Sequence, residues 1–181
     1  MKITFDSKVT LVLFVLSIFG LFFIQKDLSE SNSIFVLNGV TRFEEVTWYI
    51  SLLTYIFGHA DWGHVVGNMS IILLLGPLVE MKFGWQKTAL MIAITAVLTG
   101  ILHVLLWDYA LCGSSGIAFM MIVLVSLINS RGKEIPITFL LVIAIYFGQE
   151  IIASLQEDRI SQFAHLFGGA MGAFWGFYKW K

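Results

Sequence analysis

GSSGIAFMMIVLVSLIN, residues 113–129, opens on two serines between glycines and then stays almost wholly apolar. AHLFGGAMGAFWGFY, residues 164–178, sets His165 inside a second apolar stretch. Working outward from these two, cuts at the charged residues leave apolar stretches near 9–25, 62–79, 88–107, 109–130, 135–152 and 160–178. Each approaches the ~20 residues a helix needs to cross hydrocarbon. Only a helix satisfies its own backbone there without closing a barrel, so the pattern predicts an all-α membrane protein, a bundle of six transmembrane helices. Composition agrees: 58% of the 181 residues are hydrophobic and 13% charged, with a mean hydropathy of +0.86. With two prolines and no low-complexity or single-sign tract, a single membrane domain over 1–181 is expected. No internal repeat is evident, which gives an inverted-repeat transporter no support.

Orientation follows from the cations. Six spans put Lys2, Lys8, Lys82, Lys87, Arg131, Lys133, Lys179 and Lys181 on one side and only Lys26, Arg42 and Arg159 on the other. By the positive-inside rule both termini are cytoplasmic and the long loop at about 26–57 is external. Met1 to Ile24 also has the charged start and apolar run of a signal peptide, but no small-residue cleavage site follows, so it is read as a span. The net charge of −1, with no basic stripe, gives no footprint for nucleic acid, and a single cysteine excludes an internal disulfide. Cys112 reads as a small apolar filler. In this arrangement Ser115, His165, His59, His64 and Asn68 all fall near the external ends of their spans. A random scatter of polar residues would not share one depth, and polar groups in a membrane tend to persist for function.

A serine hydroxyl is a poor nucleophile until a base takes its proton, and His165 is the histidine of the later spans that can do so. Gly113 and Gly116 flank the serine, and Gly168, Gly169, Gly172 and Gly176 line the last span, so small residues permit close approach. The structural alternative is a glycine packing face, with Ser115 as an N-cap and His165 bonded to a carbonyl. His64 and Asn68, four apart, share a helix face and suit donation to an oxyanion, joined by the Ser115 N–H at a helix start. Asn68 as interhelical glue is the plainer reading. His59 and His64 are five apart, which does not match the i, i+4 spacing of a zinc helix, so no metal and no cofactor is expected. His59 instead organises the start of span two by hydrogen bonding. Phe119, one turn after Ser115, is placed to pack against the His165 imidazole. Glu157 and Asp158 lie about two turns from His165, so the chemistry is read as a Ser-His dyad. Glu150 reads first as a solvated boundary residue and second as part of a gate; His103 reads as structural or interfacial.

These motifs together resemble the rhomboid intramembrane serine proteases. His59-Ala60-Asp61-Trp62-Gly63-His64-Val65-Val66-Gly67-Asn68 fits HxxxxHxxxN; Glu80-Met81-Lys82-Phe83-Gly84 fits ExxxG; Gly113-Ser114-Ser115-Gly116 fits GxSG. Ala164-His165-Leu166-Phe167-Gly168, with Gly172, fits AHxxGxxxG. The resemblance covers residues 50–178 and is to the minimal six-span bacterial form. It implies Ser115 as nucleophile, His165 as base and later acid, and an oxyanion site of His64, Asn68 and the Ser115 backbone. It also implies a bacterial inner-membrane location, transmembrane protein substrates and a lateral gate at Tyr146 and Phe147 of span five. The family often has Tyr where Phe119 stands. Its Trp-Arg pair is not matched in register, Ile50 and Ser51 standing there with Trp48 and Tyr49 nearby. Two rivals remain: a catalytically silent relative that escorts membrane helices, and a small transporter, which the apolar inner halves of the spans disfavour.

Overall fold

The computed structural model describes residues 6–26, 33–128, 130, 134–153 and 162–178. The regular structure among them is helical apart from a single antiparallel bridge between Leu37 and Leu111. In chain order the α-helices are α1 Lys8–Lys26, α2 Val46–Thr54, α3 Trp62–Phe83, α4 Trp85–Leu106, α5 Ser115–Leu127, α6 Ile137–Val142, α7 Gly148–Ala153 and α8 Gln162–Phe177. A 3₁₀ turn, Tyr55–Phe57, follows α2, and a π-helical turn, Ile143–Phe147, joins α6 to α7.

Local chemistry sets the ends. Asp61, in extended backbone, accepts a hydrogen bond from the His64 N–H at 2.8 Å and so caps α3. Gly84, at φ +80°, ends α3 and starts α4 in one residue, a conformation that suits glycine. Each of these helices has 22 residues and is long and apolar enough to cross a membrane. The start of α1 is satisfied from 70 residues away. Buried Glu80 on α3 accepts the Thr10 N–H at 2.8 Å, the Val9 N–H at 3.1 Å and the Thr10 hydroxyl at 2.7 Å. A carboxylate there fills orphan donors and suits the positive end of the helix dipole.

Helix α5 is central. Ile117, Ala118, Met120, Met121, Val123 and Leu124 are buried around its circumference, and its main partners are α8 and α3. The Trp175 indole on α8 donates to the Thr95 hydroxyl on α4, which donates to the Met120 sulfur on α5, so one chain of bonds ties three helices. The outer surface is apolar, with Val15, Phe22, Leu74 and Leu105 more than half exposed, as expected where the solvent is lipid.

Several boundaries differ from the sequence expectation. The fourth apolar stretch is not helical from 109: 109–114 is non-helical and bridges to the first loop at Leu111, and α5 starts at Ser115. Leu37 and Leu111 exchange both backbone hydrogen bonds at 2.9 Å, and the Gly113 N–H donates to the Tyr55 carbonyl. The fifth stretch starts after Pro136, which lacks an N–H, and the π turn interrupts it. The loop expected at 26–57 contains α2. The end of the bundle remote from Ser115 is not wholly apolar, since Ser7, Thr10, Glu80 and Thr88 are buried there. Residues 157–159, the Glu150 side chain and several of the counted cations lie outside the described residues.

Candidate active site

Ser115 is the first residue of α5, and Ser114, at φ −91° and ψ 13°, is the N-cap, so the capping position anticipated for Ser115 falls one residue earlier. As the first helical residue Ser115 has no intrahelical acceptor for its N–H. Among the described residues neither that N–H nor the hydroxyl is engaged in a hydrogen bond. Gly113 stands at φ +114°, open to glycine and strained for other residues. Its missing side chain also makes room: a Cβ there would lie 2.7 Å from both Cε1 and Nε2 of His64, with Nδ2 of Asn68 3.7 Å away. The serine loop, His64 and Asn68 are therefore in one place.

His165 reaches the same place through backbone contact between α5 and α8. A Cβ at Gly116 would sit 3.0 Å from the Ala164 carbonyl oxygen, and one at Gly168 would sit 2.8 Å from the Gly116 carbonyl carbon. Gly172 packs in the same way on the Met120 backbone, and one turn on, Gly176 packs on the Leu127 side chain, along a single face. Ser115 and His165 neighbour the Gly116–Ala164 contact in sequence. The Phe119 ring stacks on the imidazole with centroids 4.5 Å apart and planes 3° from parallel, and Tyr146 of the π turn meets Phe119 edge-on at 5.7 Å. Phe147 fills the space beside Gly169. Ser115, His64 and His165 are half-buried, open enough for water, whereas Asn68 is buried.

His59 is fully buried and uses both ring nitrogens. Nδ1 lies 3.2 Å from the Phe57 carbonyl; Nε2 lies 3.1 Å from Asn68 Nδ2 and 3.2 Å from Ser114 Oγ. Burial, aided by the nearby His64 ring, pushes its pKa down to about 4 against the opposing pull of the Phe57 bond and Asp61. Burial also pushes the Cys112 thiol up, away from the reactive thiolate.

His103 is buried and bonds the Tyr109 carbonyl at 2.9 Å, with Trp107 and Tyr109 packed against its ring. Among the described residues no three His, Cys, Asp or Glu side chains gather as metal ligands would. Three contributors escaped the sequence reading: Ser114, whose partner is 55 residues away; Tyr55, whose carbonyl holds Gly113; and Glu80 as a helix cap. Glu80 and Ser114 stood inside recognised motifs, but nothing local announced their partners.

As an arrangement, a half-buried hydroxyl at a helix start, an imidazole on the adjoining helix and converging N–H donors suit acyl transfer. A family model described as the Rhomboid domain matches residues 46–181. A curated relative, Rhomboid protease GlpG of Haemophilus influenzae, is 24% identical over 179 residues, covering 95% of this chain and 91% of the relative.

Proposed function

Since the chain belongs to the rhomboid family, and so is an integral membrane helical bundle, we propose that it is a serine endopeptidase cutting transmembrane helices of other proteins. The observation that carries this reading is the meeting of α5 and α8 at Gly116 and Gly168. It brings Ser115 and a Phe119-stacked His165 to the face where His64 and Asn68 lie.

In the proposed reaction the substrate helix unwinds near the external interface, helped by small or helix-breaking residues. Ser115 attacks the exposed carbonyl while His165 takes its proton. The developing oxyanion is met by the Ser115 N–H, His64 and the Asn68 amide. His165 returns the proton to the leaving amine, then draws one from the water that hydrolyses the acyl-enzyme. Six membrane spans with both termini cytoplasmic put this site on the external side, in a bacterial inner membrane. The piece α6, π turn and α7 serves as the movable wall, because π turns recur at functional positions and this one holds Tyr146 over Phe119.

The test is cleavage of a helix-destabilised transmembrane substrate in liposomes by wild type, Ser115→Ala and His165→Ala. Loss of cleavage in both variants is expected. Undiminished cleavage by Ser115→Ala would rule out the nucleophile, and binding without cleavage by wild type would favour the escort reading.

A further inference from the structure

The donors that meet the oxyanion must themselves be aimed. An asparagine amide at that position can turn either its N–H₂ or its carbonyl toward the substrate, and only the first stabilises negative charge. Asn68 is buried, so its orientation is decided by what its amide touches, and His59 Nε2 lies 3.1 Å from Asn68 Nδ2.

The state of His59 follows from its other nitrogen. Nδ1 faces the Phe57 carbonyl, which can only accept, so Nδ1 carries the proton. In the neutral ring Nε2 is then a lone pair, which accepts from the Asn68 amide and from the Ser114 hydroxyl. The titratable groups facing this ring are His64, with centroids 5.0 Å apart, and Asp61 at the start of α3. Burial keeps the ring neutral at physiological pH, since its pKa lies at about 4.

We propose that His59 is a positioning residue: its Nε2 holds the N–H₂ end of the Asn68 amide inward, so that the second N–H points to the oxyanion, and fastens the same assembly to Ser114 beside the nucleophile. The geometry joins three separate segments. The imidazole belongs to the stretch between the 3₁₀ turn and α3, the amide to α3, and Ser114 to the loop that starts α5. If the ring gains a proton, Nε2 becomes a donor facing another donor, and the amide has to turn or withdraw. The inference rests on the hydrolytic reading above for its effect on rate, but not for its geometry.

Two measurements test it. The first compares kcat and KM for His59→Leu, His59→Gln, Asn68→Ala and His59→Leu/Asn68→Ala on a transmembrane substrate in liposomes. His59→Leu is expected to lower kcat about tenfold to hundredfold with KM within about twofold, the scale of a misplaced oxyanion donor. Gln, which keeps an acceptor, restores most of the rate. Once Asn68 is gone, His59→Leu should lower kcat by less than about threefold more, because its route of action has been removed. A full, undiminished fall in that background overturns the proposal.

The second measurement is ¹⁵N NMR of histidine-labelled wild type in micelles. It should find His59 neutral with the proton on Nδ1 between about pH 5.5 and 8, and Asn68→Ala should shift the Nε2 resonance. A proton on Nε2, or a resonance indifferent to Asn68, overturns the proposal. If wild type cleaves nothing, the hydrolytic reading fails and the NMR result still decides the placement of the amide. If His59→Leu does not fold, Gln and the wild-type spectrum carry the test.

Discussion

Replacing Gly168 by alanine adds one methyl group where α8 touches the backbone of α5. That Cβ would lie 2.8 Å from the Gly116 carbonyl carbon and 3.0 Å from its Cα, with the carbonyl oxygen nearer still. Ordinary contact begins near 3.4 Å, so the deficit against the carbon alone is 3.4 less 2.8, or 0.6 Å. The obstacle is backbone in the first turn of α5, with no flexible side chain to swing away, and α8 has to withdraw. His165 moves with it, three residues before the contact. A displacement approaching 1 Å at a reacting pair costs about a hundredfold in rate, so kcat should fall about thirtyfold to hundredfold. Overpacking should also lower stability by about 1–3 kcal/mol. The assay is kcat on a transmembrane substrate in liposomes, with thermal unfolding of the same samples. Gly67→Ala is the control, since a Cβ there meets nothing within 4 Å. It should leave stability unchanged or raise it by about 0.5–1 kcal/mol, as alanine does in a helix. Wild-type kcat and unfolding for Gly168→Ala would refute the idea that this backbone contact aligns Ser115 with His165.

Phe119→Ala removes the ring stacked on His165; a stack worth about 0.5–1.5 kcal/mol predicts a twofold to tenfold loss of kcat, with Phe119→Tyr close to wild type. Glu80→Ala strips three hydrogen bonds from the start of α1 and should lower unfolding stability by about 2–4 kcal/mol, with Gln intermediate; an unchanged unfolding curve would show that α1 does not depend on this cap. His59 binds its proton at about 4 in the folded chain and 6.5 otherwise, so in that window the unfolded chain binds more protons. Its contribution to stability is complete above about pH 6.5 and is lost as the pH falls through about 4, a trend that melting temperatures should follow and that His59→Gln should weaken.

The polar residues of the candidate site stood out in the sequence because polar groups are few and costly in apolar helices. Ser115, His165, His64 and Asn68 each interrupt a hydrophobic run, and a shared depth made them a group. The partners of Glu80 and His59 were not legible, because hydrogen bonds across 70 and 55 residues leave no local period. The helix α2 escaped because Arg42, Glu44 and Glu45 precede it and marked the whole segment as loop. The π turn has no compositional signature at all.

The start of the fourth apolar stretch is the most instructive difference, because it decides where Ser115 stands in its helix. Tyr109 to Cys112 is apolar enough to read as part of the fourth stretch, and hydropathy does not distinguish a helix from irregular backbone in protein surroundings. With 13 residues, α5 is about 20 Å long at 1.5 Å per residue, short of the ~30 Å hydrocarbon core. The six residues before α5, which would have lengthened it by about 9 Å as helix, are non-helical instead. Irregular backbone inside a membrane protein is tolerated only where protein or water satisfies it. Here the Leu37–Leu111 bridge and the Tyr55 carbonyl do so. Among the described residues the same truncation leaves the Ser115 N–H without a hydrogen-bond partner and its side chain half-buried. The features that shorten the fourth apolar stretch as a helix are thus the ones that make Ser115 a first helical residue, the position that the proposed reaction requires of its nucleophile.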